Sequence, residues 1–299
     1  MIFLALLRNA ASALALIAGK SAILFGNSLF YVGTRMIIAG SFLLLFYFSI
    51  LKRRCWLVGK DFWYILQIVV FQIYLTYICD IYAISKLSAA RASLLFNMSP
   101  FVAAFFSYIY FSEVMTPKKW IGLCLGFVGL LPMLLLGSQD NAGIGFISFA
   151  GLASAIAVVA NVYGYVILRF LVKERKYPVV LISGIGMFFG GLLSFITAVI
   201  SERSFDLVYV WKPFTIFLFL SIITGSVISY NLHGYLLRKY TATLLSFIGL
   251  TYSLFGALFG WLLFGERITW NFFVSIIIIS GGLYIFYMEE WRQGYIVTD

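Results

Sequence analysis

Residues 82–120 read YAISKLSAARASLLFNMSPFVAAFFSYIYFSEVMTPKKW, and residues 235–273 read YLLRKYTATLLSFIGLTYSLFGALFGWLLFGERITWNFF. At an offset of 153 residues, Tyr82 falls on Tyr235, Lys86 on Lys239, Ser93 on Ser246, Phe111 on Phe264, Glu113 on Glu266 and Thr116 on Thr269. Gly129 and Gly282 extend the match. Each copy holds a basic residue, an apolar helix, a Phe-x-Glu end and a second apolar helix. A duplicated unit in a very apolar chain is the sequence mark of a membrane carrier built from two structural repeats.

Composition points the same way. Of 299 residues, 63% are hydrophobic and 11% charged, too few charges to cover a water-soluble body of this size. The charges cluster between long apolar runs, and a helix crosses the hydrocarbon layer in roughly 20 residues. The expected fold is an all-α membrane protein with ten transmembrane helices in two inverted five-helix repeats. The predicted spans are 2–25, 30–51, 61–83, 88–111, 118–137, 143–170, 179–200, 213–235, 240–264 and 270–288. The repeats occupy 1–138 and 143–288, joined by the turn-rich Gly137-Ser138-Gln139-Asp140-Asn141, with a tail at 289–299.

A net charge of +10 would suggest nucleic acid in a soluble protein. Here the basic residues mark loops held in the cytoplasm. With the N-terminus inside, cytoplasmic loops hold 13 Lys and Arg, among them Lys118, Lys119, Arg169 and Lys173, against 6 on the opposite side, including Lys20, Lys86, Arg203 and Lys212. Both termini are therefore expected in the cytoplasm, in the cell inner membrane. Five spans per half is an odd number, so the halves must lie upside down relative to one another. Arg8 ahead of an apolar run imitates a signal peptide. However, Ser12-Ala13 through Ile23-Leu24 resembles Ser154-Ala155 through Val166-Ile167, and removal would break the repeat.

No phosphate-binding Gly-x-x-x-x-Gly-Lys loop, His-Glu-x-x-His, Gly-x-Ser-x-Gly or paired carboxylate occurs, which argues against an ATP-driven pump in one chain and against an enzyme. Cys55, Cys79 and Cys124 are scattered, without metal-site spacing. The expected partners are a small-molecule substrate and the lipid bilayer, with no nucleic acid, cofactor or metal, for a monomer or homodimer.

The predicted fourth helix carries a small or polar stripe of Ala90, Ser93, Asn97, Pro100, Ala104 and Ser107, spaced to share one face. The offset carries it onto Thr243, Ser246, Leu250, Ser253, Ala257 and Gly260 in the ninth. Small residues let membrane helices pack closely; they also leave room where two stripes face a central cavity. Asn97 and Pro100 favour the cavity, since an amide is costly in lipid and a proline frees a backbone carbonyl. The Gly-x-x-x-Gly pairs Gly122/Gly126, Gly186/Gly190 and Gly256/Gly260 read as packing.

Lys20, Arg35 and Arg91 fall within or near spans, and an intramembrane charge is a functional candidate. All three are also near helix ends, where long stems can snorkel to the headgroups. Asp61, Asp80, Glu113, Glu266, Glu289 and Glu290 are all near predicted span ends, which argues against a buried proton relay. His233, the single histidine, is either a polar residue at headgroup level or a gate contact. Trp56, Trp63, Trp120, Trp211, Trp270 and Trp291 fit an interfacial aromatic belt, while Tyr77 and Tyr252 lie inside spans and could stack on a planar solute.

Together these features resemble the drug/metabolite transporter superfamily, in particular its ten-helix EamA-type members. The resemblance is carried by Arg35 early in the second helix, Ser99-Pro100 in the fourth, the Phe-x-Glu at Glu113 with Gly265-Glu266, and the closing glycines Gly126, Gly129 and Gly282. It spans nearly the whole chain. It implies helices 1, 3, 4, 6, 8 and 9 around a central path, helices 5 and 10 outside, and cargo among amino acids, their derivatives, nucleotide-like metabolites or drugs. The first helix departs from the common pattern by lacking a Trp-Gly pair, while Lys20 stands where many members place a lysine. The expectation is thus a secondary transporter working by alternating access, as exporter or exchanger, for an amino acid, a derivative or an S-adenosyl compound. Lys20 would anchor a negative group, Asn97 and Asn161 hydrogen-bond, Tyr77 and Tyr252 stack, and Arg35, Arg91, Ser93, Pro100, His233 and Ser246 make gating or polar helix contacts. The alternative is a non-transporting membrane subunit or a lipid-carrier flippase component.

Overall fold

The computed structural model of the protein describes residues 2–50, 58–87, 95–136, 148–201, 210–265 and 270–296. Every secondary-structure element among them is helical. The helices are α1 (Ile2–Ile23), α2 (Ser28–Ile50), α3 (Gly59–Ala83, continuing to Lys86), α4 (Ser99–Phe111), α5 (Pro117–Leu136), α6 (Phe149–Glu174), α7 (Val179–Ser201), α8 (Trp211–Leu236), α9 (Ala242–Leu263) and α10 (Trp270–Arg292). Eight of them, all but α4 and α5, are long and apolar enough to cross a membrane by length and composition. Helix α4 has 13 described residues, and the start predicted for it at 88 lies outside the described residues, as do Arg91, Ser93 and Glu266.

Apolar side chains point outward as well as inward. Phe149, Ile200 and Ile277 are more than two-thirds exposed, a surface that water would oppose and hydrocarbon accepts. Trp63, Trp120, Trp211, Trp270 and Trp291 stand exposed at helix ends, as an interfacial belt requires.

Helix pairing follows the sequence repeat. α2 packs along α7 and α5 along α10; α1 lies on α8 and α9, while α6 lies on α3 and α4. Exchanging each helix of the first five with its counterpart in the second five returns the same pairings. Glycine permits close backbone approach in both α5–α10 and α2–α7. A Cβ on Gly122 would lie 2.8 Å from the Gly282 carbonyl oxygen, and one on Gly40 would lie 2.5 Å from the Phe188 nitrogen. Gly186 and Gly190 likewise face α3, whereas a Cβ on Gly256 would meet no atom within 4 Å.

Helices α4 and α9 are interrupted at corresponding points. The chain turns at Asn97-Met98 before α4, and at Gly249-Leu250 within α9. In the first case Pro100 follows the turn at the start of the helix, where a missing N–H costs nothing. In the second, the freed Ile248 carbonyl accepts hydrogen bonds from Asn9 Nδ2 at 2.7 Å and Thr251 Oγ1 at 2.8 Å. Wide π turns also recur in both halves, at Ile68–Leu75 in α3 and Ile222–Ser229 in α8.

Three ion pairs, two of them buried on both sides, close one end of the bundle. Arg169 Nη2 lies 2.5 Å from Glu113 Oε1, Lys119 Nζ 3.2 Å from Glu290 Oε1, and Arg175 Nε 3.4 Å from Asp61 Oδ1. Thr241 Oγ1 adds a hydrogen bond to Glu290 at 2.8 Å, and Tyr177 Oη donates to Asp61 Oδ2 at 2.9 Å. The carboxylates are at helix ends, as expected, but buried, and so are Lys119 and Arg169, whereas Arg175 is half exposed. Such pairs offset their own desolvation only when hydrogen bonds complete the geometry.

Candidate substrate site

The centre of the bundle is polar on an otherwise apolar scaffold. Arg35 projects from α2 and is 8% exposed. Its Nη2 donates to Tyr77 Oη at 2.8 Å, and its guanidinium lies 5.4 Å from the Tyr31 ring centre and 5.3 Å from that of Tyr77. Both distances are in the range of cation–π attraction. No carboxylate pairs with it among the described residues, and its buried Nε has no hydrogen-bond partner. A buried guanidinium without a counter-charge is costly, and a bound anionic group would relieve that cost.

The polar path continues from α3 to α8. Tyr77 Oη and Tyr230 Oη are 3.4 Å apart, the Tyr165 and Tyr230 ring centres 6.2 Å, and the Tyr165 and His233 ring centres 4.0 Å. His233 is 3% exposed, so it sits inside the bundle. On the other flank, α1 contributes Arg8, which donates to Asn9 Oδ1 at 2.6 Å, and Ser12, whose hydroxyl meets that of Ser229. Asn9 Nδ2 also reaches Thr251 Oγ1 at 2.8 Å. Next to Thr251, the Tyr252 hydroxyl lies within electrostatic reach of Asp80, Tyr77, Arg8 and Arg35. Asn97 Nδ2 meets Ser253 Oγ at 3.4 Å, which joins the turn ahead of α4 to the segment just after the break in α9. Interrupted helices beside a polar centre are how membrane carriers expose backbone groups to cargo.

Of the residues singled out in the sequence, Arg35, Tyr77, Asn97, Tyr252 and His233 converge here. Pro100 is buried at the start of α4, while Ser246 and Asn161 are half-buried on α9 and α6. Lys20 is exposed in the last turn of α1. The cation buried among the central tyrosines is Arg35. Arg8, Asn9, Tyr31 and Tyr230 were not singled out. Tyr230 had a signal, since it lies at the 153-residue offset from Tyr77; Arg8 was hidden by its likeness to a leader charge. Asp80, expected merely near a span end, belongs to the central group.

A sequence profile of the EamA-like transporter family matches residues 1–135 and again 146–288. Proteins of Chlamydia muridarum and of Chlamydia trachomatis serovar L2, each called an S-adenosylmethionine/S-adenosylhomocysteine transporter, are 33% and 34% identical to the chain over 294 residues. The alignments cover 94% of this chain and 89% and 86% of those proteins. A solved crystal structure superposes with a TM-score of 0.77 at 16% identity, covering 97% of this chain and 96% of the other, which is a likeness of fold.

Proposed function

The chain belongs to the EamA-like transporter family, and from that premise we propose that it exchanges S-adenosylmethionine and S-adenosylhomocysteine across a cell inner membrane by alternating access. The observation that carries the reading is the buried Arg35, held between tyrosine rings with no carboxylate partner among the described residues. A methionine-type carboxylate supplies the missing counter-charge at Arg35. A planar adenine suits the faces of Tyr77, Tyr165, Tyr230 and Tyr252, since aromatic rings prefer offset stacking. In a water-poor cavity the charge contact is worth several times its value in bulk water. Arg35 thus takes the anchoring part that the sequence assigned to Lys20. The names of the chlamydial relatives support the cargo.

The same proposal includes ten membrane crossings in two inverted five-helix repeats, 1–138 and 143–288, with both termini cytoplasmic. Support comes from the interchangeable helix pairings, the matched breaks ahead of α4 and in α9, and the matched π turns of α3 and α8. The ion-paired end would then be the cytoplasmic gate. Opening it requires Glu113, Glu290 and Asp61 to part from their cations.

The test is counterflow in proteoliposomes. Labelled S-adenosylmethionine should accumulate when unlabelled S-adenosylhomocysteine is inside, and Arg35→Met should reduce its apparent affinity by roughly tenfold or more. Failure of the parent protein to exchange the two compounds overturns the reading.

A further inference from the structure

Asp80 is the one carboxylate among the described residues that stands in the central group. It lies three residues after Tyr77 on α3, a spacing that puts both side chains on the same helix face. It is half-buried, and it has neither a hydrogen bond nor an ion pair to a protein group among the described residues. The other buried carboxylates, Asp61, Glu113 and Glu290, are each matched with a cation. Around the Tyr252 hydroxyl the group thus sets one unpaired anion, Asp80, against two cations, Arg8 and Arg35. Tyr77 ties the two poles together, bonded to Arg35 and one helical turn from Asp80.

A site with separated opposite charges is complementary to a ligand that carries both. The α-amino acid head is such a ligand, with an ammonium and a carboxylate on one carbon. We propose that Asp80 is a specificity-determining residue that receives the α-ammonium group of the cargo while Arg35 receives its carboxylate. The site thereby reads the zwitterion and not the nucleoside alone. This assignment rests on the transport reading above and deepens it. It also gives Asp80 a reason to be charged in an apolar helix, where an unpaired carboxylate is otherwise a liability.

The cargo itself separates the possibilities. S-adenosylmethionine carries ammonium, carboxylate and sulfonium; S-adenosylhomocysteine lacks the sulfonium; 5′-methylthioadenosine lacks the amino acid end entirely. Binding of each to the purified full chain in detergent is measured by calorimetry for the parent, Asp80→Asn and Asp80→Glu. Asp80→Asn should weaken both S-adenosyl compounds by roughly tenfold or more and leave methylthioadenosine within about twofold, with Asp80→Glu recovering part of the loss. A loss for S-adenosylmethionine alone places Asp80 at the sulfonium and overturns the ammonium assignment. An equal loss for all three ligands, or no loss, overturns it as well.

A second measurement needs no variant. The parent should bind S-adenosylhomocysteine roughly tenfold or more tighter than its analogue lacking the α-amino group; equal binding overturns the assignment while the transport reading stands. A parent that binds none of the S-adenosyl compounds fails the transport reading itself, and this assignment with it.

Discussion

Tyr77 and Tyr230 are 153 residues apart in sequence, equivalent in the repeat, and their hydroxyls lie 3.4 Å apart at the centre of the bundle. The two are not interchangeable, because only Tyr77 accepts the hydrogen bond from Arg35. Tyr77→Phe should therefore leave a buried guanidinium without its neutral acceptor, at a cost of about 1.5–3 kcal/mol. The expected result is a loss of substrate affinity of roughly tenfold or more and a lowered melting temperature, whereas Tyr230→Phe changes affinity by less. Calorimetric titration of both variants decides it; equal effects would remove the special place given to Arg35.

Lys20 and Arg35 offer a direct contrast. Lys20 is exposed and Arg35 buried. Lys20→Met should leave affinity for S-adenosylhomocysteine within about twofold, while Arg35→Lys should weaken it markedly, because a point ammonium cannot replace a planar group stacked between two rings. A large loss from Lys20→Met would return the anchor to the end of α1.

At the ion-paired end, Lys119 and Glu290 are each about 1% exposed. Removing one partner, as in Lys119→Met, should cost about 3–5 kcal/mol because the other charge stays buried. Pairing it with Glu290→Leu should recover much of that loss. Thermal unfolding of the three variants tests this, and additive losses in the double variant would count against a coupled pair.

Helices α5 and α10 meet backbone to backbone at Gly122 and Gly282. Gly282→Val would force a side chain into the Gly122 carbonyl, so folded yield should fall sharply, by the mechanism of overpacking at about 1–3 kcal/mol or more. Gly256→Ala, into open space, should be tolerated and even stabilise the helix slightly. Size-exclusion yield of the two variants gives the comparison.

Orientation is checked by cysteine accessibility. Lys118→Cys should react with a membrane-impermeant maleimide only from the cytoplasmic side, and Lys212→Cys only from outside. Labelling of both from one side would contradict the inverted arrangement.

Sequence alone conveyed the helical membrane fold because lipid imposes a simple rule, long apolar runs with charges between them. The repeat offset then located equivalent residues in the two halves. The centre was harder to read. Pro100 pointed to a freed backbone carbonyl in the fourth helix, though not to the turn at Asn97-Met98, and nothing comparable marks Gly249-Leu250, where the freed carbonyl is satisfied by Asn9 from a helix 239 residues away. Arg35 and Lys20 looked alike because both are cations near span ends; only packing tells the buried one from the exposed one. Asp80 was read by its distance from a helix end, whereas its surroundings depend on what α9 presents across the bundle.

The π turns of α3 have a consequence for how this protein tolerates length changes. Ile68–Leu75 precedes Tyr77 and Asp80, and each residue of an α-helix advances the face by about 100°. Deleting a single apolar residue from that stretch would leave hydropathy and composition almost untouched. It would also swing Tyr77 and Asp80 round the helix, away from Arg35. The orientation of these two side chains is thus stored as a residue count in a largely apolar segment, and loss of one codon there silences the carrier while Arg35, Tyr77 and Asp80 are all retained.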